Sequence, residues 1–110
     1  MTSKTTARIA ELNDILRTTF LTGRVLMTEG IRALPDDVQS RIVEAVQTFT
    51  DFTPDNDPHG EHDFGAVTVE ARKVFWKIDY YAPDMMHGSE DPSDPKQTRR
   101  VLTIMLTQEY

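Results

Sequence analysis

The segment 66-AVTVEARKVFWKIDYY-81 constrains the fold more strongly than any other part of the chain. Apolar and polar residues alternate on both sides of a break at 70–73, with Val67, Val69, Val74, Trp76, Ile78 and Tyr80 on one face. A period of two is typical of strands that bury one face. The segment therefore predicts a β-hairpin, although its turn lacks the Asn-Gly pair that favours a tight hairpin.

The spacing of apolar residues elsewhere predicts two helices. The first covers 3–20 and ends before Gly23, and its apolar face consists of Ile9, Leu12, Leu16 and Phe20. The second begins at Pro35, a residue suited to the first helical position, and Pro54 ends its pattern. Its apolar face consists of Val38, Ile42, Ala45, Val46 and Phe49.

Two short apolar segments complete the pattern. We interpret 24–29 and 100–109 as strands, although 100–109 is also compatible with a helix. The order α-β-α-β-β-β predicts an α+β fold, with two helices packed on one face of a small antiparallel sheet of about four strands. A length of 110 residues suits a single domain over 1–110.

Composition excludes several classes of protein. There are no cysteines, so disulfides, zinc–thiolate sites and thiol catalysis are excluded. No apolar run approaches the ~20 residues that a membrane helix needs, and the first residues do not form a secretory signal. We therefore expect a cytoplasmic protein that does not associate with membranes.

Charge is distributed unevenly along the chain. The net charge is −6, and neither 42–71 nor 78–95 contains a Lys or Arg. This disfavours direct nucleic-acid binding, which needs a basic surface. It favours a protein partner with a basic surface, bound through Asp55, Asp57, Glu61, Glu90, Asp91 and Asp94. The alternative is that the acidic loops only keep the chain in solution.

The loop 55-DNDPHGEHDFG-65 contains two of the three histidines. A turn near 71–72 would place residue 62 opposite residue 81 and so bring this loop close to the loop 83–97. We then expect one zinc or another divalent transition metal to join the two loops. Its predicted ligands are His59, His62, Asp63 and His87.

The number of ligands would decide what such a metal does. Three histidines and one carboxylate would form a closed structural site. Two histidines and one carboxylate would leave a position for water, as in a small metal-dependent hydrolase. The alternative is that these side chains only bind the backbone of their own loops.

Asp79 is a further candidate, because it lies in a predicted strand at the end that carries the loops. It could act as a general base. More commonly, a carboxylate on an exposed strand face pairs with a cation such as Lys77 or Arg72. We assign no catalytic residue from the sequence.

Several long stretches resemble a bacterial family known only as domain of unknown function 3768. They are 54-PDNDPHGEHDFG-65, 75-FWKIDYY-81, 87-HGSEDPSDP-95 and 99-RRVLTIML-106 with Glu109-Tyr110, extended by 24-RVLMTEGIRALP-35. The resemblance implies no catalytic residue and no cofactor. It implies a context on plasmids and other mobile elements, near anti-restriction and partition genes.

The expected function combines this context with the acidic loops. We expect a small acidic protein-interaction module, of the anti-CRISPR or anti-restriction type, that binds a nuclease or another basic host protein. The alternative is the metal-dependent hydrolase that would use His59, His62 and His87.

Overall fold

The predicted hairpin forms half of a four-stranded sheet. The structure is a computed structural model that describes residues 3–110. Its elements are α1 (Lys4–Thr19), β1 (Arg24–Met27), α2 (Glu29–Arg32), α3 (Asp36–Gln47), β2 (Phe64–Val69), β3 (Arg72–Tyr81), β4 (Arg99–Leu106) and the 3₁₀ helix η1 (Thr107–Glu109). The α+β fold class and the strand at 100–109 are confirmed, and α2 is a short helix that the sequence did not predict.

The sheet is mixed rather than antiparallel. Its strand order is β1-β4-β3-β2, and β2–β3 and β3–β4 are antiparallel. β1 instead runs parallel to β4, with Arg24 opposite Val101. A parallel pair needs a long connection, and the rest of the domain between 28 and 98 supplies it. The prediction of an antiparallel sheet is therefore wrong for β1 only.

The hairpin turn is tighter than the sequence suggested. Glu70 and Ala71 have φ values of 52° and 61°, as the two central residues of a type I′ turn do. Phe64 is consequently paired with Lys77, which shifts the register by two residues from the predicted one. The loops before β2 and after β3 still leave the hairpin at the same end.

The core lies between the sheet and the three α-helices. The indole of Trp76 is fully buried at its centre. A Cβ at Gly65, on the neighbouring strand, would lie 2.5 Å from Trp76 Nε1, so only glycine fits there. The other fully buried apolar side chains are Leu16, Ile31, Ile42, Val46, Val74, Leu102 and Ile104. The predicted core face of the hairpin is thus confirmed.

The opposite face of the sheet carries a smaller aromatic cluster. Phe64, Phe75 and Tyr110 lie with ring centroids 5.1 to 5.9 Å apart. Lys73 Nζ lies 5.7 Å from the ring centroid of Phe75. Within 3–110, no helix has both the length and the hydrophobicity required to cross a membrane.

Ala71→Gly is expected to stabilise the protein. A left-handed backbone costs a residue with a Cβ about 1 kcal/mol or more, and glycine adopts it without that cost. Chemical denaturation should show a free energy of unfolding higher by about 0.5 to 1 kcal/mol.

Ala66→Gly provides the matched control, because Ala66 lies in β2. The same change in an extended strand should destabilise by about 0.5 to 1 kcal/mol. Destabilisation by both changes would contradict the assigned turn.

Candidate functional site

A buried asparagine joins four separate segments at the end of the sheet that carries the loops. Asn13 of α1 is fully buried. Its Nδ2 donates to the backbone oxygen of Glu61 at 2.9 Å and to Tyr80 Oη at 2.8 Å. Its Oδ1 accepts from Arg100 Nε at 2.7 Å. The side-chain amide thus connects α1 to β3, to β4 and to the loop before β2.

The sequence held a signal for this residue that we did not use. Ile9, Leu16 and Phe20 lie on one face of α1, and Asn13 and Arg17 continue that face. Both are buried. A polar residue at a core-facing helical position needs a partner inside the protein, but the identity of that partner is not encoded locally.

Arg100 is a buried cation without a carboxylate partner. It is only 5% exposed, and no ion pair involves it among residues 3–110. Its guanidinium donates to Asn13 and to the backbone oxygen of Pro92, and it lies over the ring of Tyr80. Burial lowers the pKa of Arg100 from its ordinary value.

Two carboxylates surround the hydroxyl of Tyr80. Tyr80 Oη donates to Glu61 Oε1 at 3.0 Å and lies 3.4 Å from Asp63 Oδ2. Burial raises the pKa of Tyr80 far above its ordinary value, so the phenol remains a donor. Burial and the nearby charge of Glu61 raise the pKa of Asp63.

Arg17 connects α1 to the end of α3. Its guanidinium donates to the backbone oxygens of Val46 and Gln47, at 3.1 and 3.3 Å, and a cation is favourable at a helix C-terminus. It also pairs with Asp14 at 3.0 Å. The guanidinium lies 5.4 Å from the ring centroids of both Phe52 and Trp76.

His62 lies between two carboxylates. Its Nδ1 is 3.0 Å from both carboxylate oxygens of Asp14, and its Nε2 is 3.7 Å from Asp57 Oδ2. The imidazole stacks on Phe52 at 3.9 Å between ring centroids. Two clefts of about 520 and 530 Å³ share His62 as a lining residue. These contacts fix the orientation of the imidazole.

The four predicted metal ligands lie in different surroundings. His59 is exposed beside His62, and Asp63 faces Tyr80. The exposed imidazole of His87 instead pairs with Asp84 at 2.9 Å. Within 3–110, no group of three or more His, Asp or Glu side chains is placed to hold a metal ion.

The predicted four-residue cluster is therefore not assembled, for two reasons. The hairpin register differs by two residues from the predicted one, in which residue 62 would lie opposite residue 81. In addition, Asp14 of α1, which lies outside both loops, binds His62. Metal binding itself stays a prediction, which elemental mass spectrometry of wild type and His62→Ala would test.

The predicted partner-binding carboxylates divide into two groups. Four of them accept hydrogen bonds: Glu61 from Tyr80 of β3, and, within their own loops, Asp57 from His62 N, Asp91 from Ser93 and Asp94 from Lys96 N. Asp55 and Glu90 are exposed. The surface that these loops present to a partner is therefore smaller than the sequence suggested.

Asp79 is partly exposed, and its carboxylate pairs with Lys77 Nζ at 3.0 Å. This is one of the two cations that the sequence offered as its partner. The geometry gives Asp79 an ion-pairing role on the outer face of the sheet.

Comparison with known families agrees with the resemblance seen in the sequence. Residues 27–109 match a family described as proteins of unknown function, DUF3768. The chain belongs to the DUF3768 family. Apart from Asn13, Asp14 and Arg17 of α1, every side chain described in this site lies in the part that matches DUF3768. No curated protein and no solved structure matches the chain.

Asn13→Ala should destabilise the protein by about 2 to 4 kcal/mol, because it removes the partner that Asn13 provides to Arg100 Nε and to the Glu61 carbonyl. The measurement is chemical denaturation. Glu11→Ala, at an exposed position on the same helix, is the control and should change stability by less than about 0.5 kcal/mol. Equal effects of the two changes would contradict a central role for Asn13.

Asp63→Asn should alter the pH dependence of stability. The folded state binds the Asp63 proton more tightly than the unfolded state, whose pKa is near 3.8. Wild type therefore gains stability from this group as the pH falls through its folded pKa, and the Asn variant does not. The melting temperature of the variant, relative to wild type, should be higher at about pH 7 than at about pH 4.

Asp55→Asn removes one exposed charge from the same loop and serves as the control for that experiment. A difference between Asp63→Asn and wild type that does not vary with pH would contradict the assigned environment of Asp63.

Proposed function

We propose that this protein is a small interaction module that binds a basic host protein through the loops 51–63 and 82–98. A nuclease of a bacterial defence system is the partner class that we place first, and the proposed location is the cytoplasm. One observation carries the proposal: two acidic loops without Lys or Arg except Lys96 leave the hairpin at the same end and are held in fixed shapes.

The charge of this surface supports a cationic partner. Nine of the eighteen acidic residues lie in 51–63 and 84–94. Asp51, Asp55, Asp84 and Glu90 are exposed among them. A concentration of one sign of charge attracts a surface of the opposite sign and accelerates association. A nuclease channel that binds a phosphate backbone is such a surface.

The loop before β2 is fixed by its own side chains. Asn56 Oδ1 accepts from Thr53 N at 2.8 Å, and Asn56 Nδ2 donates to the backbone oxygen of Asp51 at 2.7 Å. Asp57 accepts from the backbone of His62. Because these bonds exist before a partner arrives, binding does not have to order the loop.

The loop after β3 is fixed in the same way. It turns back on the strand, since Tyr81 and Gly88 form a bridge and Ser89 N donates to Tyr80 O. The Ser89 hydroxyl lies 2.7 Å from Thr98 Oγ1, which closes the loop across nine residues. Both loops thus present their carboxylates in defined positions.

The structure offers no observation that favours the metal-dependent hydrolase over this proposal. Its predicted histidines are not placed as one group within the described residues. The two clefts beside His62 could admit a small molecule, but they do not identify a reaction.

The proposal is tested by binding to purified restriction and CRISPR nucleases at salt concentrations from about 50 to 500 mM. The variant neutralises three exposed carboxylates whose side chains do not hold the loops: D51N/D55N/E90Q. We expect association with the cognate nuclease to slow by about tenfold or more and to weaken as salt increases.

A control variant with the same change in net charge, E29Q/D36N/E44Q, alters exposed carboxylates outside the two loops. It should retain binding to within about twofold, because distant exposed charges are screened. Binding that does not respond to salt, or equal losses in the two variants, would refute the role of the loops.

A further inference from the structure

A cleft of about 580 Å³ lies at the same end of the sheet as the acidic loops, and its charge is of the opposite sign. It is lined by Thr22, Gly23, Arg24, Met85, Pro95, Thr98, Arg99, Arg100 and Val101. None of these residues is acidic. The lining contains three of the twelve basic residues in a chain whose net charge is −6. In a chain with more acidic than basic residues, a cleft that is lined by basic residues and by no acidic ones is not expected by chance.

The sheet itself places two of the arginines in diagonal positions on adjacent strands. Arg24 of β1 is opposite Val101 of the parallel strand β4, and Arg99 precedes Val101 by two residues. Alternate residues of a strand point to the same face. Arg24 and Arg99 therefore project from adjacent strands on the same face of the sheet, and both are exposed.

Neither guanidinium is neutralised by the protein. Among residues 3–110, no ion pair involves Arg24 or Arg99. On β3, the carboxylate of Asp79 lies opposite Val101 in the same sheet but is paired with Lys77 at 3.0 Å. The two arginines thus retain their capacity for charge-assisted hydrogen bonds to an anion.

Arg100 adds a fixed positive charge behind the cleft. Its buried guanidinium is held by Asn13 and the Pro92 carbonyl, both of which are neutral. A buried charge is less screened by solvent than an exposed one. It therefore strengthens the attraction of the cleft for an anion.

The remaining lining residues indicate which other chemical groups a ligand of this cleft would carry. Met85 and Pro95 provide apolar surface, and Thr22 carries an exposed hydroxyl group. A volume of about 580 Å³ is within the usual range for small-molecule sites. Arginine pairs recognise phosphate through planar, bidentate hydrogen bonds.

We propose that this cleft binds a phosphorylated small molecule about the size of a mononucleotide, with its phosphate on Arg24 and Arg99. The apolar part of the ligand lies against Met85 and Pro95. The loop 82–98 contributes Met85 and Pro95 to this cleft and carboxylates to the partner surface proposed above. The phosphate site uses Arg24 and Arg99 whereas the partner surface uses carboxylates, so separate variants test the two proposals.

The test is isothermal titration calorimetry of the full chain with AMP, pyrophosphate and succinate as probes. We expect AMP and pyrophosphate to bind. Succinate should bind at least about tenfold more weakly, because a terminal phosphate carries roughly −1.5 to −2 charge whereas each carboxylate carries a single charge. The R24Q/R99Q variant should lose at least about tenfold in affinity for AMP.

The control variant R32Q/R72Q removes the same charge from two exposed arginines outside the cleft. It should bind AMP to within about twofold of wild type, because screened distant charges contribute little. Melting temperatures of both variants show whether each is folded. Met85→Ala provides a second change that leaves the charge unaltered, and it should weaken the binding of AMP but not that of pyrophosphate.

Three results would overturn the proposal. One is the absence of binding of either phosphate probe to wild type. Another is an equal loss in the two double variants, which would show a general effect of charge. The third is tighter binding of a single-stranded oligonucleotide than of AMP, which would assign the cleft to a nucleic-acid backbone instead.

Discussion

The hydrogen bonds of one buried side chain, Asn13, hold the functional end of this protein together. Its amide satisfies Arg100, Tyr80 and the Glu61 carbonyl at once. Each partner lies on a different segment, and each would be costly to bury alone, because an unpaired polar group in the interior loses its hydration. The position of α1 relative to the sheet therefore depends on hydrogen bonds between buried polar groups as well as on apolar packing.

Helix α1 contributes the same kind of contact twice more. Arg17 binds the last carbonyls of α3, and Asp14 binds His62 in the loop before β2. Residues 13, 14 and 17 thus connect α1 to α3, to the strands β3 and β4 and to the acidic loop before β2. This helix precedes residues 27–109, which match DUF3768, yet it completes the environment of several side chains within them.

Opposite charges lie close together at this end of the sheet. The loops 51–63 and 82–98 carry carboxylates, whereas β1 and the start of β4 present Arg24 and Arg99 beside a cleft. The two sets remain distinct because the loop carboxylates bond mostly to loop backbone and to Tyr80 and His62, and because Asp79 is paired with Lys77. The net charge of −6 therefore does not reveal the local charge of the acidic loops or of the cleft.

The sequence by itself determined α1 and α3, the hairpin, the core face of Val74, Trp76 and Ile78, and the presence of two acidic loops at one end. These features follow from periodicity and composition, which act over a few residues. The tertiary structure alone decided the parallel pairing of β1, the hairpin register, the partners of Asn13 and His62, and the cleft at Arg24 and Arg99. Each of these depends on contacts between residues distant in sequence. A shift of two residues in register conserves the alternation of a strand, so the pattern that revealed the hairpin could not fix which loop residues would meet.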